Sequence, residues 1–347
     1  MRLASGQLVS KAKILAESMV TEIPLAPYER LTPELILQAI ESVGLNPTGS
    51  LLALNSYENR VYQVELEDNR FIVVKFYRPE RWQTEAILEE HQFSYELAEQ
   101  DIPVICPVRY DGNSLLTFAG FRFAVYPRRG GRWPELDDPE TLQQLGRLIG
   151  RIHAIGRTHR FEYRQRLTVE SNGQSALDFL LENDFVPREL SHNFQQAAQL
   201  LIDEVRAMFE GVLPSYLRIH GDFHPGNILS LEHHFHFVDL DDCCMGPAIQ
   251  DLWMMLSGDQ HEMASQLSKI LEGYETFSEF DYSEIALIEA LRGLRLIHYC
   301  GWLARRWQDP AFPRHFPWFN TPRYWEEQMI TFREQLERCH APVLKLK

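Results

Sequence analysis

The 347-residue sequence predicts an α+β fold in two lobes, an antiparallel sheet with one packed helix followed by a larger, mainly helical part. Up to residue 127, apolar residues form short runs rich in β-branched and aromatic side chains, separated by polar turns, as strands do. Beyond residue 127, they recur at the spacing of amphipathic helices, with one β-like interruption at 218–240. We therefore predict an extension (1–30), an N-terminal lobe (31–127) and a C-terminal lobe (128–347).

The extension is predicted to be a loosely attached arm. Its apolar residues between Leu8 and Met19 permit one short amphipathic helix as the alternative. Pro24 and Pro27 separate this segment from the N-terminal lobe, and we therefore favour the arm.

The N-terminal lobe is predicted to contain a sheet and two helices. The first helix begins at Thr32-Pro33-Glu34, which combines an N-cap, a first-turn proline and an acid, and it ends at Gly44. The second spans residues 85–100 and packs on the sheet. The predicted strands are 49–55, 60–66, 71–77, 114–118 and 121–126.

The C-terminal lobe follows a flexible basic junction at residues 128–132, which marks the domain boundary. Its first helix begins at Asp138-Pro139-Glu140 and ends at Gly156. Further helices are predicted at about 175–183, 190–211, 248–257, 261–277, 283–307 and 322–338.

The charge balance argues against nucleic acid or an anionic membrane as the main partner. The chain has 34 Lys and Arg against 49 Asp and Glu, a net charge of −15, whereas nucleic-acid binders usually carry a basic patch. The same balance leaves room for cationic substrates.

The cysteines and the apolar runs predict a cytoplasmic protein. The five cysteines are odd in number and contain no C-x-x-C pair, which fits reduced thiols rather than disulfides or zinc. The N-terminus has no continuous apolar segment, so we expect no signal peptide. No run of about 18 apolar residues occurs, so we expect no membrane insertion.

The strongest motif lies in the β-like interruption. Residues 220–229 read HGDFHPGNIL, and an apolar run then ends at Asp239 in FVDLD. This is H-x-D, an asparagine five residues after the aspartate, and a second aspartate at a strand end. The spacing is that of a kinase catalytic loop and its metal-binding aspartate.

Phosphoryl transfer explains these residue types. Asp222 is placed to orient an acceptor hydroxyl and take its proton. Asn227 and Asp239 offer the hard oxygen ligands that Mg²⁺ prefers, and Gly226 permits the turn between them. The alternative is an ordinary polar turn followed by a strand end.

Three further residues are predicted to support the loop. We expect His220 to brace its backbone and His224 to do the same or to lie near the phosphates. Asp251 follows at the start of a helix and is either a ligand of the loop backbone or a first-turn acid. Asp241 and Asp242 are either additional acids near the metal or solvated turn residues.

A cation for the nucleotide phosphates is predicted at Lys75, inside the apolar strand VVKFY. A buried lysine needs an acidic partner, which the helix at 85–100 supplies as Glu89 or Glu90. We favour Glu90, because Phe93 and Leu97 follow it on the core-facing side. A lysine that extends from an edge strand to water is the alternative.

The loop at residues 55–60 (NSYENR) occupies the position where a glycine-rich phosphate loop is expected. It contains no glycine, but the Ser56 hydroxyl and the backbone N–H groups offer phosphate contacts. An ordinary hairpin turn is the alternative. We place the adenine of ATP against a linker at 124–126, which includes Val125 and Tyr126.

These motifs resemble the aminoglycoside phosphotransferase and choline kinase superfamily, whose members share a bilobal protein-kinase-like fold. Few residues separate Asp239 from Gly246-Pro247, and D-F-G and A-P-E are absent, so an ordinary eukaryotic-type protein kinase is excluded. More narrowly, about residues 31–340 resemble the bacterial stress response kinase A family. The supporting stretches outside the catalytic loop are 54–63, 74–82, 246–254 and 309–313.

The resemblance implies a cytoplasmic serine/threonine protein kinase that uses ATP and Mg²⁺, phosphorylates itself and acts in stress survival. It implies Asp222 as proton acceptor, Asn227 and Asp239 as metal ligands, and Ser56 as an ATP contact. Two other hypotheses stay open: a kinase for an amino alcohol or aminoglycoside, and a pseudokinase that senses nucleotide.

Overall fold

The computed structural model describes residues 26–232 and 234–346. The arm or helix predicted between Leu8 and Met19 lies outside these residues.

The N-terminal part is one antiparallel sheet of five strands between two helices. The strands are β1 (Pro47–Ala53), β2 (Arg60–Leu66), β3 (Phe71–Phe76), β4 (Leu116–Phe118) and β5 (Phe121–Pro127), in the spatial order β1-β2-β3-β5-β4. Helix α1 (Pro33–Glu41) packs on one face through Ile36 and Ile40. Helix α2 (Thr84–Glu99) packs on the other through Ile87.

The sheet register decides which side chains face the cleft. Lys75 lies opposite Ala124, and Val73 lies opposite Tyr126. Because cross-strand partners share a face, Lys75 and Tyr126 point to the α2 side. Val125 points to the α1 side, where it is buried in the core of the sheet.

The C-terminal part is mainly helical. Its α-helices are α3 (Pro139–Gly156), α4 (Ser175–Glu182), α5 (Arg188–Val212), α6 (Gln250–Trp253), α7 (Gln260–Tyr274), α8 (Ile288–Arg305), α9 (Ala311–His315) and α10 (Pro322–Cys339). A π-helix (Glu170–Gln174) leads into α4. Two small antiparallel sheets pair β6 (Leu217–Ile219) with β9 (Cys244–Gly246) and β7 (Ile228–Leu231) with β8 (His234–Phe237). Single-turn 3₁₀ helices cover Pro225–Asn227 and Leu240–Asp242, and a longer one covers Tyr282–Leu287.

The sheet and the helical remainder confirm the predicted α+β class. The helix predicted at 248–257 is wrong in extent, because only Gln250–Trp253 is α-helical. Gly258 has φ +88°, a left-handed conformation that a continuing helix excludes, and Asp259 then caps α7. The helix predicted at 283–307 begins as the 3₁₀ segment and becomes α-helical at Ile288.

Helix α9 and strand β9 are among the elements that the sequence did not predict. The short helix α9 follows Pro310 in a stretch without helical periodicity. Strand β9 pairs with β6 across 25 to 30 residues of chain and brings the region after Asp239 back to the loop that follows β6. Within the described residues, no helix combines the length and hydropathy needed to cross a bilayer.

Candidate active site

The loop between β6 and β7 is folded by its own polar residues. Gly221 has φ +83°, and a Cβ there would overlap the carbonyl oxygen of Asp242, so only glycine fits. The His224 Nδ1 accepts a hydrogen bond from the Gly226 N–H at 2.9 Å and caps the 3₁₀ turn. The Asn227 Nδ2 donates to the carbonyl oxygen of Asp222 at 2.9 Å. The loop therefore holds Asp222 and Asn227 against each other.

Asp251 is fully buried beneath this loop. Its two carboxylate oxygens accept the backbone N–H groups of His220 at 2.7 Å and Gly221 at 2.8 Å. His153 of α3 lies 3.1 Å from the same carboxylate, through its Nε2. Of its two predicted roles, Asp251 has that of a ligand of the loop backbone.

His220 fixes the loop to the segment that precedes Asp239. Its Nε2 lies 3.0 Å from the carbonyl oxygen of Val238, the residue before Asp239. This contact joins the loop that carries Asp222 to the strand end that carries Asp239.

Lys75 of β3 reaches this strand end and lies among three carboxylates. Its Nζ is 3.4 Å from Glu90 Oε1, 3.0 Å from Asp239 Oδ1 and 3.1 Å from Asp241 Oδ1. Burial alone would lower the pKa of Lys75, but Asp239, Asp241 and Glu90 together raise it well above its ordinary value. The ammonium group therefore stays charged in the buried site. The alternative, a lysine that extends from an edge strand to water, is wrong.

Glu90 and Glu89 have different partners. The Glu90 carboxylate bridges Lys75 and Arg164. The Nη2 atom of Arg164 is 2.7 Å from Glu90 Oε2. Glu89 points away and accepts backbone N–H groups of residues 162–164 at 2.6 to 2.9 Å. The structure thus places Glu90 beside Lys75.

The glycine-free loop between β1 and β2 is fixed by ion pairs. Glu58 lies 2.9 Å from Arg78 Nε and 2.7 Å from Arg306 Nε. The Asn59 amide bridges the Arg78 N–H at 3.1 Å and Asp241 Oδ2 at 3.0 Å. Side-chain contacts therefore hold this loop over the cleft, and Ser56 sits half-buried at its tip.

Two sequence-predicted nucleotide contacts have different outcomes. Tyr126 lies on the Lys75 side of the sheet, and its hydroxyl is 3.0 Å from that of Tyr77. Val125 is not brought to the cleft: its side chain packs on the opposite face, towards α1. The predicted linker at 124–126 is also wrong, because these residues belong to β5, which ends at Pro127.

Arg81 was missed as a residue of the site, and Asp241, predicted as an acid near the metal or a solvated turn residue, is buried and therefore not the latter. The buried Asp241 contacts Arg81, which also pairs with Asp242 at 2.5 Å. Burial would raise the pKa of Asp241, but Arg81, Lys75 and Arg164 hold it well below its ordinary value. Asp241 is therefore an ion-paired core acid, while the side chain of Asp242 is half-exposed. The sequence signal for this contact was the presence of basic residues, including Arg81, directly after β3. Spacing along the chain does not show which acidic residues they contact.

Asp222 has two basic neighbours, Arg295 and His224. Its Oδ1 is 2.8 Å from Nη1 of Arg295 in α8, and its Oδ2 is 3.4 Å from His224 Nε2. Burial would raise the pKa of Asp222, but His224 and Arg295 hold it well below its ordinary value. Asp222 is therefore a carboxylate at neutral pH. Nothing in the sequence motif pointed to Arg295.

The residues present fit a divalent cation with oxygen ligands. The Asp239 carboxylate is half-exposed, and its backbone has φ +60°, a conformation retained at functional sites when the surroundings enforce it. The Asn227 amide directs its NH₂ group to Asp222, which leaves its oxygen as the donor to a cation. One carboxylate and one amide oxygen suit Mg²⁺, which keeps several water ligands.

The comparisons with known proteins agree with this geometry. A family model described as "Phosphotransferase enzyme family" matches residues 50–288. Stress response kinase A of Escherichia coli O157:H7 is 46% identical over 319 residues, which cover 92% of this chain and 97% of the relative. The chain belongs to the stress response kinase A branch of this phosphotransferase family. A serine/threonine protein kinase RdoA of Salmonella typhimurium is 44% identical over the same extent.

A solved structure extends the likeness to the fold. An amicoumacin kinase in complex with AMP-PNP, Ca²⁺ and Ami has a TM-score of 0.68 and 20% identity, and the match covers 90% of this chain and 95% of that chain. The predicted bilobal, protein-kinase-like fold is thereby confirmed. As a member of this stress response kinase family, the chain is an ATP-dependent phosphotransferase, and the pseudokinase hypothesis is set aside.

Proposed function

We propose that this kinase transfers the γ-phosphoryl group of ATP to serine and threonine hydroxyls of proteins, including its own. The relatives named as stress response and serine/threonine kinases support a protein acceptor. The contact between Arg295 and Asp222 carries the proposal, because a cation 2.8 Å from the base repels an ammonium-bearing acceptor. A protein hydroxyl meets no such penalty.

The proposed roles follow from the cleft. Lys75 binds the nucleotide phosphates and is held in place by Glu90. Asp222 orients the acceptor hydroxyl and takes its proton. Asn227 and Asp239 hold Mg²⁺, which neutralises phosphate charge when bound. Ser56 and the backbone of its loop contact the phosphates, and Tyr126 borders the nucleotide from the sheet.

The relatives' names also support a role in stress survival. We propose a cytoplasmic location, because all five cysteines are free thiols and three of them are buried.

A kinase for small amino alcohols or aminoglycosides is the second candidate. The structural similarity to an amicoumacin kinase and the net charge of −15 favour it. A panel of amino alcohols and aminoglycosides, assayed for ADP release, separates the two: rapid turnover of one of them, with none on protein, overturns the protein-kinase proposal.

The test of the catalytic assignment is Asp222→Asn. We expect transfer of labelled γ-phosphate to protein to fall by roughly 10²–10⁴-fold, since general-base catalysis contributes that much. ATP binding, measured by calorimetry, should persist, because Asp222 lies on the acceptor side of the cleft. Retained turnover would remove Asp222 from its proposed role.

A further inference from the structure

Arg295 stands between the proposed base and the solvent. Its guanidinium contacts Asp222 Oδ1 at 2.8 Å, and its side chain is 49% exposed. Within residues 26–232 and 234–346, Asp222 is the acidic partner of Arg295. Arg292, one turn earlier on α8, pairs instead with Glu289 at 3.2 Å and lies over the ring of Trp253.

The Arg295–Asp222 ion pair occupies part of the carboxylate that an acceptor hydroxyl has to reach. A hydroxyl that donates its proton to Asp222 must come within hydrogen-bond distance of one carboxylate oxygen. Arg295 engages one oxygen and His224 faces the other at 3.4 Å. The acceptor hydroxyl therefore shares, or competes for, a carboxylate that Arg295 already binds.

A carboxylate on the acceptor would offer Arg295 a second binding partner in place of Asp222. Guanidinium binds carboxylate through two parallel hydrogen bonds, and a half-exposed arginine is free to turn towards one. A bound acid would draw Arg295 away from Asp222 and leave an oxygen for the hydroxyl. A lysine or arginine at the same place on the acceptor would meet like charge.

The same face of α8 continues towards the phosphate loop. Tyr299 and Trp302 follow Arg295 at helical spacing, and their rings stack at 5.7 Å with an angle of 17°. The Trp302 Nε1 donates to Glu58 of the β1–β2 loop at 2.6 Å. An extended acceptor on this face would thus place an acid at Arg295 and a neighbouring residue on a flat aromatic surface.

We propose that Arg295 selects protein acceptors that carry an aspartate or glutamate close to the phosphorylated serine or threonine, and that this acid releases Asp222 for the reaction. The inference rests on the proposed function, since it specifies which protein hydroxyls are used. Arg295 is a specificity-determining and positioning residue.

The test uses the full-length enzyme and a set of serine peptides. Each peptide carries Glu, Gln or Lys at one varied position. The varied position ranges from three residues before the serine to three residues after it. We expect kcat/KM to be highest for Glu at one or more positions and lowest for Lys, with a ratio of roughly tenfold or more between Glu and Gln. Arg295→Gln should abolish the Glu preference, and Arg295→Lys, which keeps the charge, should retain part of it.

Arg292→Gln is the matched control, because it removes an arginine of the same helix whose partner is Glu289. It should keep the wild-type preference. ATP binding and thermal unfolding of each variant check that the fold is intact. Equal kcat/KM for Glu, Gln and Lys peptides in the wild type, or an Arg295→Gln enzyme that still prefers Glu, overturns the inference. A wild type that phosphorylates small alcohols and none of the peptides instead overturns the proposed function itself.

Discussion

His91 of α2 lies in a series of buried contacts that leads to Glu90, the partner of Lys75. Its Nε2 lies 2.7 Å from the Tyr77 hydroxyl and its Nδ1 lies 2.8 Å from the Ser114 hydroxyl. The Tyr77 hydroxyl in turn reaches Glu90, the partner of Lys75, at 3.5 Å. A neutral imidazole suits this series of contacts, because it donates through one nitrogen and accepts through the other.

This environment makes protonation of His91 costly. Burial, together with Lys75 and Arg164, lowers the pKa of His91 from 6.5 to about 3. A group whose folded pKa is depressed contributes stability above its unfolded pKa, and that stability is lost as the pH falls. The loss therefore begins near pH 6.5 and continues towards pH 3.

Between about pH 6.5 and 5, we predict that the free energy of unfolding of the wild type falls by about 2 kcal/mol more than that of His91→Gln. The reason is that each pH unit in this window corresponds to about 1.4 kcal/mol. Glutamine keeps a donor and an acceptor but does not titrate. Urea unfolding at several pH values measures the difference. His192→Gln, which changes an exposed histidine, is the control, and parallel curves for the wild type and His91→Gln would refute the prediction.

At the scale of elements, two helices of the C-terminal lobe approach each other through glycines. A Cβ on Gly146 or Gly150 of α3 would overlap the carbonyl oxygens of Ile270 and Tyr274 in α7. Gly273 of α7 has the same relation to Gln143 of α3. This close contact matters for the site, because α3 also carries His153, which contacts Asp251 beneath the catalytic loop.

We predict that Gly146→Ala destabilises the protein by about 2 kcal/mol, because the overlap with α7 exceeds the gain in helix propensity. Gly211→Ala is the matched control. Nothing lies within 4 Å of its added Cβ in α5, so it should be neutral or stabilise by up to about 1 kcal/mol. Chemical denaturation compares the two, and equal effects on the free energy of unfolding would contradict the close helix approach.

At the scale of the whole molecule, ion pairs join the two lobes across the cleft. Asp309, between α8 and α9, lies 2.8 Å from Arg78 and 3.2 Å from Arg60 of the sheet lobe. Arg306 reaches Glu58 from the same side. These contacts anchor the β1–β2 loop to the helical lobe, so under the proposed function the same ion pairs support both stability and nucleotide affinity.

We predict that Asp309→Asn lowers the free energy of unfolding by about 3 kcal/mol, because it leaves two guanidinium groups near an uncharged amide in a largely buried place. The KM for ATP should rise as the loop loses its anchor. Asp68→Asn removes an exposed ion pair with Arg70 and should change neither quantity, since exposed pairs contribute little to stability. An Asp309→Asn enzyme indistinguishable from Asp68→Asn would show that the lobes do not depend on this acid.

Much of the fold could be predicted from local patterns. Strand β2 has the predicted bounds, and helices α2 and α10 differ from prediction by no more than one residue at either end. Errors arose where the local pattern did not show a boundary: the run at 248–257 is helical for one turn only, because Gly258 has a left-handed backbone and Asp259 then caps α7. Val125 was assigned to the nucleotide because it precedes the junction, but strand alternation turns it to the α1 face.

The sequence by itself determined the α+β class, the order of the elements and the shared motif of Asp222, Asn227 and Asp239. These follow from hydrophobic periodicity and from spacings of a few residues, which chain geometry converts directly into position. Only the tertiary structure decided that Asp241 is buried against Arg81 and that Arg295 contacts Asp222, since these partners lie 160 and 73 residues apart. Packing of the lobes, rather than any local preference, brings such charges together, because a buried charge is stable only where a distant part of the chain supplies its partner.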